Sequence, residues 1–330
     1  MLQFSPFLIL GVFQIGVFFL ICYLVTLFFN RLQNSQLVVL MLLSPAGLLA
    51  SAYTIGMSLR KEILFMLALS VVLVPVLNGL RLPGRWLGLG IALYAVSVFA
   101  HEGMVFFAPF FLFVVLIYWR IGAVSRAVAL ASVLTIIGVA VLAFAVSMRF
   151  AHSDPEAVCA AVLARGLTPY LCGGAIRWMN TSLAEGIAFT DRSVFQNYRY
   201  LSFLVYYILA MLPFLNFRGE RKEARWLVVA FWPGVLFLAP LFIVASDWER
   251  WIAEYVFGCI LLSFALLKLG WFSIRRVWPT WLALLYVSSW SFPYFIHHIG
   301  FNGLFLPLVA GLIWGGEKTA VLLGWPRRGT

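Results

Sequence analysis

The chain has 330 residues, of which 64% are hydrophobic and only 11% charged, with a mean hydropathy of +1.01. Soluble domains carry about 25% charged residues, so this composition excludes a soluble globular protein and predicts an all-α polytopic integral membrane protein. The net charge of +11 does not point to nucleic acid, since basic residues in such chains mark cytoplasmic loops, and continuously apolar runs exclude a β-barrel.

Eleven apolar segments are read as spans: 4–29, 36–57, 63–80, 86–100, 104–119, 127–148, 200–216, 227–246, 252–267, 279–296 and 302–316. The first 30 residues carry no charged side chain, so the opening segment reads as a span and not as a signal peptide. The fourth and fifth segments are short and meet at His101-Glu102-Gly103, either as two tilted spans or as one span and a re-entrant piece. With the N-terminus outside, 15 of the 23 basic residues fall in short inner loops or the C-terminal tail, which satisfies the positive-inside rule. The same register places outside all four histidines and nine of the twelve acids. Proton-transfer chemistry is therefore expected on the extracytoplasmic face.

One long outer loop, residues 149–199, interrupts a single transmembrane domain spanning residues 1–330. In "HSDPEAVCAAVLARG", Ser153 or Asp154 can cap a helix, Pro155 suits its first turn and Gly166 stops it. "AIRWMNTSLAEGIAF" reads as a second, amphipathic segment with Ile176, Met179 and Leu183 at helical spacing. Cys159 and Cys172 both lie in this loop. An outside location favours a disulfide between them over two reduced thiols.

Four polar clusters remain, all on the outer side. "MSLRKEILF" holds Arg60, Lys61 and Glu62 between the second and third spans. Arg60 and Lys61 are either headgroup anchors or binders of a phosphate or diphosphate. "SDWERWIAEY" holds Asp247, Arg250 and Glu254 at helical spacing, and Trp248 and Trp251 suit either an aromatic belt or a sugar-stacking surface. "FIHHIGFNG" adds His297 and His298. In "VFAHEGMVFF", His101 and Glu102 are the only His, Asp, Glu, Lys or Arg residues between Arg85 and Arg120. An ionisable pair at shallow membrane depth is costly unless partnered, so the pair is a functional-site candidate rather than loop polarity.

The "RKE" after the second span, the "HEG" between short spans and the "DWERW" before a late span resemble bacterial polysaccharide polymerases of the Wzy and EpsG-like kind. Those are similar to the multi-spanning glycosyltransferases (GT-C-like) that use lipid-linked donors. The resemblance implies a bacterial plasma-membrane protein joining polyprenyl-diphosphate-linked glycan units at the outer leaflet, beside other polysaccharide-assembly membrane proteins. It implies that Arg60, Lys61 and Arg250 neutralise the diphosphate, that Glu102 or Asp247 takes the acceptor proton with His101 orienting it, and that Trp248 and Trp251 support sugars; His297 and His298 join the substrate side. The early acidic motif of many lipid-linked-donor enzymes is absent, since "NRLQNSQ" has no carboxylate. Transfer without a metal or other cofactor is therefore expected. The competing readings are a membrane acyltransferase acting on surface glycans, a lipid-linked-glycan transporter, and a non-catalytic subunit of a membrane complex.

Overall fold

The computed structural model describes residues 6–30, 35–44, 46, 61–149, 154–166, 169, 172, 176, 180–196, 199–289, 294–295 and 298–299. Helices dominate it. The first are α1 (Pro6–Asn30), α2 (Ser35–Leu42), α3 (Ile63–Val72), α4 (Val74–Leu77) and α5 (Pro83–Ala100). A 3-10 turn, Glu102–Phe107, leads into α6 (Ala108–Arg120), followed by α7 (Arg126–Arg149), α8 (Pro155–Ala164) and α9 (Leu183–Thr190), which runs on into a π-turn over Asp191–Phe195. The rest comprises α10 (Arg199–Met211), β1 (Phe217–Gly219), α11 (Lys222–Ala230), α12 (Ala239–Val244), α13 (Trp248–Lys268), β2 (Phe272–Ile274), α14 (Thr280–Ser289), β3 (Tyr294–Phe295) and β4 (His298–Ile299). β1 pairs antiparallel with β2, and β3 with β4.

Among the described residues, five helical segments are long and apolar enough to cross a membrane: Gly11–Phe28, Pro83–Ala100, Glu102–Arg120, Arg126–Arg149 and Trp248–Lys268. The pair Lys222–Ala230 and Pro233–Val244, bent by 55°, makes a sixth if it counts as one span. This is the architecture of an all-α membrane protein, with fewer qualifying helices than the eleven expected. The 63–80 segment is broken at Leu73, and α14 is described over ten residues only. The 302–316 segment and most of 36–57 lie outside the described residues. The fourth and fifth segments gain length instead: α5 starts at Pro83, and the 3-10 turn adds a turn before α6. The two are separate helices on either side of His101.

α13 sits at the centre, with an almost unbroken run of buried residues from Trp251 to Leu266. An apolar helix without a wet face belongs inside other helices, and α1, α3, α6 and α10 pack against it. α7 lies at the periphery. Its buried stripe, Ala129, Ser132, Ile136, Ala140 and Ala143, consists mostly of small residues at helical spacing. Its exposed face carries Leu130, Leu134, Val141, Phe144 and Met148. Small residues inward and large apolar ones outward is the pattern of a helix facing lipid.

Two close approaches depend on glycine. A Cβ at Gly90 of α5 would come within 2.6 Å of the Val72 Cβ on α3, and one at Gly258 of α13 within 2.5 Å of the Phe110 ring on α6. Two helix breaks are repaired by tyrosine hydroxyls, as buried carbonyls require. At Leu73 the Val76 N–H turns to the Leu73 carbonyl, and the Tyr118 hydroxyl donates to the Val72 carbonyl at 2.5 Å. At the bend before Pro233, the Phe231 carbonyl accepts from Tyr255 (2.8 Å) and Tyr207 (3.1 Å), and Tyr207 also reaches the Trp232 carbonyl.

In the long loop, Asp154 caps α8 by accepting from the N–H groups of Glu156 (2.9 Å) and Ala157 (3.1 Å), and the helix ends before Gly166 at φ +74°. Cys159 and Cys172 form a disulfide. The second helix begins later than its apolar spacing suggested, because Ser182 and Glu185 form a reciprocal capping box that sets its start. Ile176 is described but lies outside that helix, and Met179 lies outside the described residues.

Candidate functional site

The ends of three helical stretches converge. Glu62 stands at the N-cap of α3, His101 at the C-cap of α5, and Asp247 at the N-cap of α13 with Arg250 in that helix's first turn. His101 leaves the helix in an extended conformation, with φ −155° and ψ 109°. Its N–H still donates to Ser97 (2.9 Å), and its carbonyl accepts from Met104 (3.0 Å), starting the next turn. The break between α5 and α6 thus points the imidazole sideways, across the ends of α3 and α13.

The side chains form a chain of ion pairs. Arg250 Nη1 lies 2.8 Å from Glu62 Oε1, and Arg250 Nη2 lies 2.9 Å from Asp247 Oδ2. His101 Nε2 lies 3.4 Å from the same Glu62 oxygen, and its Nδ1 lies 3.6 Å from Glu102 Oε2. Exposure is graded along this chain. The Glu62 side chain is 3% exposed, His101 12%, Arg250 13%, Asp247 25% and Glu102 60%. The cluster has a buried end at Glu62, where one carboxylate oxygen takes both ion pairs, and an open end at Glu102.

The electrostatics follow from the geometry. Burial alone would raise the Glu62 carboxyl, but its contact with His101 and the charge of Arg250 outweigh that and hold it down at about 2. Burial would likewise lower His101, yet the bonds to Glu102 and Glu62 prevail and raise it above the ordinary histidine value. The two flanking carboxylates thus favour the protonated form of the imidazole.

Aromatic packing fixes the cluster. The Arg250 guanidinium lies over the Trp251 ring at 4.4 Å, and the His101 ring lies 5.3 Å from it. Gly103 completes the fit, because a Cβ there would meet Trp251 at 2.9 Å and both His101 and Leu241 at 3.4 Å. The glycine of "HEG" is therefore a packing requirement.

Lys61 is exposed next to Glu62. Trp251 is 1% exposed, so in this arrangement it offers no face to a sugar. Trp248 is half-buried among Phe195, Phe203 and Phe242, with its indole N–H donating to the Phe242 carbonyl at 2.8 Å. Both tryptophans act here as packing. Arg250 is held by two carboxylates, so it positions them and is not free for a diphosphate. Arg60 and His297 lie outside the described residues, and of His298 only its place in β4 is described.

The sequence motifs contain two carboxylates to which they assign no role. Glu62, noted only as the third letter of "RKE", is the hub; the available signal was a carboxylate directly ahead of an apolar helix. Glu254 is 6% exposed, one turn along α13 from Arg250, and its Oε2 has no hydrogen-bond partner among the described residues. No protein-family model matches the chain, and comparison with curated proteins and with solved structures finds no match.

Proposed function

We propose that the chain is a glycosyltransferase of the polysaccharide-polymerase type, acting at the extracytoplasmic face of a bacterial plasma membrane on polyprenyl-diphosphate-linked glycans, without a metal. The observation that carries this reading is the graded ion-pair chain from Glu62 through His101 to the open carboxylate of Glu102. The register of eleven spans with the N-terminus outside belongs to the same proposal, since it puts this cluster on the outer side.

Glu102 is the group able to meet an acceptor sugar. It takes the proton from the acceptor hydroxyl, whose oxygen bonds to the anomeric carbon of the donor. The bond from that carbon to the diphosphate oxygen breaks, and polyprenyl diphosphate leaves with the electron pair. His101, tethered to Glu62, fixes the Glu102 carboxylate and holds its carboxyl down at about 2, so Glu102 stays ionised and acts as a well-placed but weak base. Lys61 and, beside it, Arg60 supply positive charge for the leaving group. Arg250 braces Glu62 and Asp247 from below. The test uses purified protein with a polyprenyl-diphosphate-linked oligosaccharide. Wild type should lengthen the glycan by whole units and release polyprenyl diphosphate, and Glu102→Gln should slow this by about 10²-fold or more, the scale of general-base loss. Equal rates would remove Glu102 from the chemistry.

One observation favours a second reading. The Glu254 carboxyl lies inside the central apolar helix, where ionisable groups mark ion or proton pathways. A proton-coupled transporter of the same lipid-linked glycan would use it. Proteoliposomes distinguish the two: transport moves an unaltered glycan across the bilayer and depends on Glu254, whereas polymerisation changes its length.

A further inference from the structure

The other end of α13 carries a second assembly that the Glu62–His101–Arg250 cluster does not use. A helix of 21 residues spans about 30 Å, so this assembly lies a membrane thickness away from the cluster. After Lys268 the chain turns through Gly270, at φ +69°, and enters β2. β2 pairs with β1 in the register Phe217↔Ile274, Arg218↔Ser273 and Gly219↔Phe272. Backbone bonds from Glu220 to Trp271 (2.8 Å) and from Arg275 to Asn216 (2.6 Å) extend the ladder at both ends. The rings of Phe217 and Phe272 stack beneath it at 5.2 Å. Two loops far apart in the chain are thereby locked into one platform.

The platform is strongly basic. Arg218, Arg221, Lys222 and Arg225 come from one loop, Lys268, Arg275 and Arg276 from the other, and all seven are exposed. Among the described residues of these two loops the acids are Glu220 and Glu223, and both are engaged: Glu220 accepts from the Ser273 hydroxyl, and Glu223 faces Arg120 at 3.8 Å. Two of the cations are braced. Arg221 lies over the Trp271 ring at 5.0 Å, and the Arg225 Nε donates to the Gly219 carbonyl at 3.3 Å. Beside them stand exposed apolar side chains: Trp226, 69% exposed, with Val229, Val277 and Trp281. Cations for phosphate next to tryptophans for the headgroup level, at the end of a spanning helix, match a bilayer surface and not a soluble acidic partner.

We propose that the β1–β2 platform is a binding site for anionic phospholipid headgroups in the leaflet at that end of α13. This assignment stands apart from the catalytic reading and holds for either orientation of the chain. Its test is native mass spectrometry of the full-length protein released from detergent containing equal phosphatidylglycerol and phosphatidylcholine. Wild type should retain phosphatidylglycerol by about fivefold over phosphatidylcholine, the scale of a basic residue at an anionic surface. The preference should fall towards unity in a variant combining R218Q, R221Q, R275Q and R276Q, and survive in a control carrying R81Q and R85Q. Each platform pair alone should lose part of it, which keeps the test sharp if the fourfold variant does not fold. Unchanged preference in the pair variants, equal loss in the control, or no preference in wild type would overturn the proposal. So would complete displacement by inorganic phosphate, which would make the site one for free phosphate and not for a lipid surface.

Discussion

Glu62 and Glu102 both contact the same imidazole but differ in what surrounds them. Glu62 is buried with two cationic partners, and removing one member of a buried ion pair strands the other at about 3–5 kcal/mol. Glu62→Gln should therefore destabilise the protein by about 3 kcal/mol in a denaturation measurement. Glu102 is 60% exposed on its side chain, so Glu102→Gln should leave stability within about 0.5 kcal/mol while suppressing transfer. The two substitutions separate scaffold from chemistry.

The same residues predict a pH dependence. His101 is raised above its ordinary value, so its contribution to stability is complete below about pH 6.5 and is lost as pH rises through its folded value. Glu62 is held at about 2, so its contribution is present above the ordinary carboxylate range and lost only as pH falls towards 2. The melting temperature of wild type should thus fall as pH rises past the ordinary histidine range, through His101. His101→Gln should flatten that slope, and an unchanged slope would place the titration elsewhere. At this scale the sequence was half legible. The oddity of His101-Glu102 in an apolar run stood out, and so did Arg250. Glu62 did not, since burial of a carboxylate depends on a partner brought from residues far along the chain.

Among the elements, helix proximity depends on missing side chains. Gly90→Val or Gly258→Val would force a methyl into Val72 or Phe110. Overpacking of this kind costs about 1–3 kcal/mol, so each variant should melt earlier than a Gly84→Ala control, where nothing lies within 4 Å of an added Cβ. In the long loop, α8 has no buried residue. Closing the segment between Cys159 and Cys172 is worth about 3 kcal/mol, so Cys172→Ser should speed tryptic cleavage at Arg165 by about 10²-fold while leaving the remainder of the fold intact. Helix starts marked by local chemistry were legible: Asp154 with Pro155, and the pairing of Ser182 with Glu185 once the capping box is sought. The breaks at Leu73 and Pro233 were not. Whether a proline ends a span or is absorbed depends on distant hydroxyls, here Tyr118, Tyr207 and Tyr255.

For the whole molecule, composition announced an all-α membrane protein, and the lipid-facing surface of α7 shows how that composition is used. Span number was harder to read, because hydropathy does not separate a helix crossing lipid from a short one such as α3, buried within protein at every residue but Leu64. The two-stranded sheet β1–β2 had no signal in short basic loops; it arises from the pairing of distant segments. The polarity of the molecule is plain in both descriptions, with a cluster of carboxylates and histidine at one end of α13 and a basic platform at the other. An enzyme drawing a lipid-linked donor from the bilayer and working at one face has use for that division.

The most direct test is the length distribution of surface polysaccharide in a strain lacking this chain, complemented with wild type or Glu102→Gln at matched protein levels. The account predicts long chains with wild type and short or single units with the variant. Long chains restored equally by Glu102→Gln, or no change on deletion, would contradict it.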